Sequence, residues 1–253
     1  MTDACVMPGA ESRAGAEWAP RRHKYNLPSR DLVLELAVRL SLPVRGDVVE
    51  FGVYQGDSTR TIRRVLDQYT PRILNPFVPR KRVYACDSFE GLPDKYERLG
   101  AGHFACRPPR IPGVEIVKGY FEDSLTDELA RRVHGVSFAH LDADLYSSTL
   151  CALNWLTPLL RTGSVLLFDE FVGENFSEQR AFEDWSRHSG VRTVLVGEFL
   201  RSPSGEGDRI DQRMLYQVVR EEDLSLDRIR QFTELRPSHV RTRVARKLRR
   251  LRA

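Results

Sequence analysis

VSFAHLDADLYSSTLCALNWLTPLLRTGSVLLFDE, residues 136–170, is the stretch whose reading sets the fold. Its ends, Val136–Leu141 and Ser164–Phe168, are short apolar runs of strand length, and a helix-length segment, Ser147 to Leu160, lies between them. Two such strands joined by a helix make a βαβ unit of a parallel sheet. Each strand runs into acid: Asp142-Ala143-Asp144 after the first, Asp169-Glu170 after the second. In an open α/β sheet the carboxyl ends of the strands face the crevice where ligands bind. Carboxylates gathered there repel one another unless a cation sits among them, so a divalent metal site is the first expectation. The alternative is that each Asp only caps the helix that follows.

Outward from this unit the alternation continues. Ser29 to Leu40 has helical periodicity with Ser29 in N-cap position, Asp47 to Val53 is a buried strand, and a helix follows from about Ser58 to Gln68. A loop with Pro71, Pro76 and Pro79 leads to a strand at Arg82–Cys86. Asp87 to Gly113 is irregular and Gly/Pro-rich, with residues 94–113 expected to act as a lid or substrate loop. Val114–Lys118, Arg192–Val196 and Gln212–Val219 are further strands, and Thr126–Arg132 and Ser177–His188 further helices. The expected class is α/β: a doubly wound, mostly parallel seven-stranded sheet closed by an antiparallel C-terminal hairpin across the polar loop SPSGEGD. Residues 1–25 are expected to be a disordered segment, 26–220 one domain, and 221–253 a basic tail.

The 253 residues, 41% hydrophobic, suffice for one full core. No apolar run nears the ~20 residues of a membrane span. The start of the chain has neither the basic nor the apolar part of a secretory signal. Cys5, Cys86, Cys106 and Cys151 form no C-x-x-C pair or regular framework, which fits a reducing cytoplasm. The net charge of +4 belongs to residues 236–253, with eight Lys/Arg and no acid; without those eight, 31 basic residues face 35 acidic ones. Val240, Val244, Leu248 and Leu251 give that tail an apolar stripe, but a solvated terminus explains it more simply. The expected partner is therefore a small molecule, with no nucleic acid and no membrane, and the chain is expected to form a homo-oligomer.

Glu50-Phe-Gly52-Val-Tyr54-Gln-Gly56-Asp-Ser58 runs from strand to helix. Its glycines let the backbone turn tightly and approach a ligand, although any tight turn needs glycine. Glu50 at the strand end favours a ligand carrying positive charge over a pyrophosphate. Asp87, at the end of the next strand, is placed to accept hydrogen bonds from ribose hydroxyls. Together they point to S-adenosylmethionine.

Four blocks carry a resemblance: Gly46-DVVEFGVYQ-Gly56, Asp87-SFEGL-Pro93, Lys118-GYFED-Ser124 and Leu141-DADLYSS-Thr149. In this order they resemble the macrocin O-methyltransferase family over roughly residues 25–220, and the first helix with Arg30 resembles the family's substrate-side helix. These enzymes methylate sugar hydroxyls, typically on antibiotics, using S-adenosylmethionine and a divalent cation. The resemblance implies a Rossmann-like class I methyltransferase fold and Mg²⁺. It implies that Glu50, Gly52 and Gly56, with Tyr54 and Ser58 in the same loop, line the methionine part of the donor. Asp87 and Ser88 would hold the ribose, and Tyr120 and Phe121 would border the adenine. Asp142, Asp169 and Glu170 fall on the metal positions, and Glu170 departs from the second Asp usual there.

A sugar hydroxyl holds its proton tightly at neutral pH, so a cation that acidifies it and a base that takes the proton are the expected chemistry. Asp142, which also faces the donor, is the expected base. His140 is a second candidate for base or support, with a satisfied core histidine the commoner case, and His103 could reach substrate if its loop closes. Asp144 is expected to cap the next helix beside Tyr146, while Phe171 and Phe176 serve either a pocket wall or helix packing. Amino-sugar N-methylation, a metal-dependent glycosyltransferase and a non-catalytic binding protein are the competing functions. Against the glycosyltransferase, Glu50 would face the diphosphate.

Overall fold

Apolar residues at consecutive positions of a strand must find two cores, one on each face of the sheet. That is what Val48-Val49, Phe138-Ala139 and Val165–Phe168 do. Val49, Ala139, Leu166 and Phe168 pack on one face with Leu153, Leu156, Phe182 and Trp185. Val48, Phe138, Val165 and Leu167 pack on the other with Leu34, Val38, Ile62 and Leu66. Each such side chain contributes roughly 1.5–3 kcal/mol by leaving water.

The structure, a computed structural model, describes residues 24–25, 29–70, 80–94, 99–172, 177–200 and 212–219. The seven expected strands form the sheet, extended by a two-residue edge strand. They are β1 (Lys24–Tyr25), β2 (Asp47–Phe51), β3 (Val83–Asp87), β4 (Glu115–Lys118), β5 (Val136–Leu141), β6 (Leu160–Phe168), β7 (Arg192–Leu200) and β8 (Gln212–Val219). The order across the sheet is β1-β7-β8-β6-β5-β2-β3-β4. β8 is antiparallel to both β6 and β7, while the pairings from β6 to β4, and that of β1 with β7, are parallel. The chain is a doubly wound, Rossmann-like α/β domain. Helices α1 (Arg30–Ser41) and α2 (Asp57–Tyr69) cover one face. On the other lie α4 (Asp127–Arg132), α5 (Tyr146–Leu156) and α6 (Ser177–Ser189), following the short α3 (Phe121–Ser124).

The strand order fixes where a site can be. From β2 the chain winds outward through β3 to β4, then returns to place β5 on the opposite side of β2. The connections leaving β2 and β5 thus go opposite ways, and their carboxyl ends flank the crevice of a topological switch point.

Several local expectations are corrected. Ser29 occupies the N-cap of α1 with extended backbone, but its side chain makes no cap hydrogen bond. Asp144 does not cap α5: the N-cap is Leu145, and Asp144 sits one residue earlier at φ 57°. α3, only four residues long, lacks a period long enough to read. β6 and β7 are longer than expected, beginning at Leu160 and ending at Leu200 respectively. Residues 99–113 fold back on Phe89–Leu92, with Leu92 donating to His103 O at 2.9 Å and Cys106 to Phe89 O at 3.1 Å. Cys86, Cys106 and Cys151 are free thiols. Among the described residues no helix is long and apolar enough to cross a membrane. Except for β1, the N-terminal segment expected to be disordered lies outside the described residues. So do the proline loop, SPSGEGD, Phe176 and the basic tail.

Candidate active site

A cavity of about 660 Å³ opens at the switch point. Its walls come from the ends of β2, β3, β5 and β6, the start of α1, the segment after β4, and Arg213 on β8.

The wall at β2 is made of backbone. Gly52 has φ 87°, and a β-carbon there would collide with the carbonyl oxygen of Asp142, so only glycine allows β2 to pass β5 this closely. Asp87 fixes the loop that follows. Its Oδ2 accepts from the amides of Val53 at 2.7 Å and Tyr54 at 2.8 Å, and its Oδ1 from that of Phe89 at 2.7 Å. Tyr54 is held at φ 49° with its ring exposed. Gly52, Tyr54, Ser58, Asp87, Ser88, Tyr120 and Phe121 all line the cavity. The Ser88 hydroxyl is part of the local turn, donating to Gly91 O at 3.1 Å and accepting from the Glu90 amide at 3.1 Å.

Two of the residues expected on this wall are elsewhere. Glu50 is fully buried beneath the cavity, where it accepts from Thr59 Oγ1 and pairs with His140 Nδ1 at 2.9 Å. The reason is strand alternation: Glu50 pairs with His140 in the β2–β5 register, and their side chains share one side of the sheet. Gly56 starts α2 at φ 84° and packs beside Ile111 and Pro109, off the cavity surface.

The opposite wall is made of charged side chains. Asp142, Asp144, Asp169 and Glu170 line it. Arg213 forks onto Asp169, Nε to Oδ1 at 2.6 Å and Nη2 to Oδ2 at 3.2 Å. Arg30, from the first turn of α1, donates through Nη2 to Oδ2 of Asp142 and brings Nε within 3.4 Å of Oδ1 of Asp169. His140 points Nε2 at the same Asp169 oxygen from below, at 3.7 Å. Burial, and next the neighbouring charge of Asp169, raise the Asp142 carboxyl to about 6. Burial also pushes Asp169 upward, but His140, Arg30 and Arg213 outweigh it and hold Asp169 well below the usual carboxylate range. Glu178, buried in α6, accepts from the amides of Ala143 at 3.3 Å and Glu170 at 3.2 Å, tying the two acidic loops together. Burial, followed by the surrounding acids, keeps its own carboxyl well above the ordinary range.

A divalent cation can be tested against this wall. Its donors are hard carboxylate oxygens, the ligands Mg²⁺ takes. As they stand, no three acidic, His or Cys side chains among the described residues converge closely enough to hold a metal ion. A guanidinium bridges Asp142 and Asp169 and partly neutralises them. Asp142, Asp169 and Glu170 line the wall but, as placed, do not form a cation site.

The remaining candidates fall into place. His140 is buried and lies under the cavity rather than on it. His103 is exposed and stacks edge-on against Phe104, a cavity residue, at 4.4 Å. Phe171 packs among Phe168, Phe182 and Tyr216, so core packing accounts for it. Tyr146 donates to Asp184 at 2.8 Å, and Trp185 is core. Arg213 and Glu178 were not foreseen, although an arginine within the apolar strand Gln212–Val219 signals a buried acid partner.

Residues 49–171 match the methyltransferase domain family Methyltransf_24. Over 194 residues the chain is 28% identical to 8-demethyl-8-(2,3-dimethoxy-α-L-rhamnosyl)-tetracenomycin-C 4'-O-methyltransferase of Streptomyces olivaceus, covering 65% of this chain and 69% of that protein. Over 148 residues it is 27% identical to demethyldecarbamoylnovobiocin O-methyltransferase of Streptomyces niveus, covering 51% and 54%. Among solved structures, CalS11, a calicheamicin methyltransferase, shares the fold with a TM-score of 0.55 at 23% identity, over 74% of this chain and 77% of that one. The O-methyltransferase NovP does so with a TM-score of 0.55 at 21% identity, over 76% and 80%. The chain is a methyltransferase, and its relatives are sugar and natural-product O-methyltransferases.

Proposed function

We propose that this methyltransferase moves the methyl group of S-adenosylmethionine onto a hydroxyl of a sugar, on a natural-product glycoside or a nucleotide-sugar, with Mg²⁺ as its divalent cation. One observation carries the proposal: a single cavity has a glycine-built wall at β2 and an acid wall at β5 and β6, with Asp142 facing into it. The rhamnosyl-tetracenomycin and novobiocin methyltransferases among the relatives support the acceptor class.

Each wall then has a task. Gly52, Tyr54 and Ser58 border the methionine end of the donor, Asp87 and Ser88 the ribose, and Tyr120 and Phe121 the adenine. Asp142, Asp169 and Glu170 would be the residues to hold the cation, which would supply positive charge to acidify a neighbouring hydroxyl. Asp142, which faces into the cavity, takes the hydroxyl proton on a carboxylate oxygen. The apolar parts of the cavity keep water from the sulfonium, whose charge disappears on transfer.

Incubation of the full chain with S-adenosylmethionine, Mg²⁺ and a panel of rhamnosyl glycosides and nucleotide-rhamnoses tests this. S-adenosylhomocysteine and a singly methylated sugar are expected, lost in excess chelator and restored by Mg²⁺. Absence of S-adenosylmethionine binding would sink the donor assignment; full transfer in chelator would sink the cation.

A further inference from the structure

α6 lays an apolar stripe on the sheet, and one charged residue stands in it. Ala181, Phe182 and Trp185 are buried at i+3, i+4 and i+7 from Glu178, which is itself only 1% exposed. An acid in the first turn of a helix ordinarily sits in water and complements the helix dipole. A carboxyl group kept out of water needs partners, and those of Glu178 lie outside its own helix. Its Oε1 accepts from the Ala143 amide at 3.3 Å and its Oε2 from the Glu170 amide at 3.2 Å.

These two amides hold matching places. Each belongs to the residue directly after a cavity acid: Ala143 follows Asp142, and Glu170 follows Asp169. The amide of each acid itself goes to the neighbouring strand, Asp142 to Phe51 O at 2.9 Å and Asp169 to Leu141 O at 2.9 Å. Both acids are thus held on the amino side by the sheet and on the carboxyl side by Glu178. Asp144, next in the first loop, stands at φ 57°, a conformation that a non-glycine residue keeps only where its surroundings impose it.

We propose that Glu178 is a positioning residue for methyl transfer: by taking one amide from each acidic loop it fixes where Asp142 and Asp169 stand relative to one another, and so aims the Asp142 carboxylate at the acceptor hydroxyl. The inference rests on the reading of Asp142 as the base and adds a residue that lies off the cavity surface. Loss of both amide bonds releases the carboxyl side of each acid. A misplacement of about 1 Å at a reacting group costs on the order of 10²-fold in rate.

The test compares the full wild-type chain with Glu178→Leu, Glu178→Gln, Asp142→Asn and the double variant Glu178→Leu/Asp142→Asn. Leucine fills the space and accepts nothing, whereas glutamine keeps one acceptor oxygen. Hydrogen exchange is read by mass spectrometry on peptides spanning residues 142–145 and 169–172. Both should exchange faster in Glu178→Leu, while residues 52–56, whose amides at 53 and 54 are held by Asp87, stay as in wild type. With S-adenosylmethionine and an acceptor that the wild type methylates, kcat should fall about ten- to a hundredfold in Glu178→Leu and less in Glu178→Gln. The affinity for S-adenosylhomocysteine should hold in both, whereas a glutamate that only supported the fold would weaken it along with the rate. In the double variant kcat should match that of Asp142→Asn, since the base that Glu178 aims is already gone. If Glu178→Leu does not fold, Glu178→Gln carries the same comparisons. Unchanged exchange in the two acidic loops, wild-type kcat in the Glu178 variants, or a full further loss on the Asp142→Asn background each overturns the positioning role and leaves the proposed activity standing. No transfer by the wild type to any acceptor of the panel removes that activity and this inference with it.

Discussion

On the β2 side of the cavity Gly52, Val53 and Tyr54 are fixed by backbone geometry and by amides donated to Asp87. On the acid side Asp142 and Asp169 are fixed by side chains that arrive from Arg30, His140 and Arg213. The first arrangement is built on backbone amides held by one carboxylate from the adjacent strand β3. The second is assembled from charged side chains that arrive from α1, β5 and β8. A donor common to many enzymes suits the first kind of wall. An acceptor that comes and goes, as proposed above, would suit the second.

The sharpest way to break this contrast is Gly52→Ala. Positive φ and a collision with the Asp142 carbonyl leave no room for the methyl, so β2 and β5 must separate. Loss of detectable S-adenosylhomocysteine binding, or of the folded protein, is expected. Gly102→Ala serves as the control: φ is also positive, at 79°, but the nearest atom is 4.0 Å away. That change should cost only about 1 kcal/mol, the strain of a left-handed residue, in a denaturant melt. Equal behaviour of the two variants would show that the close approach at Gly52 is unimportant.

On the acid side Asp142→Asn should lower kcat by about 10²–10⁴-fold, the usual contribution of a general base. The affinity for S-adenosylhomocysteine should hold, because the donor loop is pinned by Asp87. A parallel loss of donor affinity would mean that the two walls are not separable.

Arg213→Met ranks third and reads stability. Removing one partner of a buried pair typically costs about 3–5 kcal/mol, since Asp169 keeps its charge without the fork that satisfied it. The pH dependence has a definite sign. Asp169 is depressed in the fold, so its contribution is present above the ordinary aspartate pKa of about 3.9 and is lost as pH falls toward the folded value. The stability gap between wild type and Arg213→Met should therefore narrow below about pH 4. A gap constant from pH 7 to pH 3 would show that Arg213 acts by packing alone.

The same contrast explains what the sequence disclosed. Seven strands, the closing hairpin and the crevice were legible because near-continuous apolar runs such as Ser164–Phe168 have one stable use, a strand covered on both faces. The tight turn after β2 was legible because its signals, glycine and a strand-end acid, are local. Glu50 was misplaced because a strand end does not reveal which way its last side chains point until the register with β5 is known. Arg213 and Glu178 escaped because their meaning lies in partners 44 and 35 residues away. Asp142, Asp169 and Glu170 were found as acids on one wall, but the arginines that neutralise two of them were not.

The smallest effect expected sits where the two walls meet solvent. Phe104 is 40% exposed at φ 69° and lines the cavity, and its ring stands edge-on to that of Tyr54 with centroids 5.5 Å apart. Exposed aromatic rings at a cavity mouth offer a flat apolar face, which the carbon-hydrogen face of a sugar or an aromatic aglycone can cover. Such a pair is worth about 0.5–1.5 kcal/mol beyond its area. Phe104→Ala should raise KM for a glycoside acceptor by roughly three- to tenfold and leave kcat and donor affinity near wild type, because its ring contacts are with Tyr54 and His103. Phe104→Tyr should restore the wild-type KM, since it keeps the ring. If Phe104→Ala instead weakened S-adenosylhomocysteine, the ring would belong to the donor wall through Tyr54, and the boundary between the two halves would have to move outward to include residues 99–106.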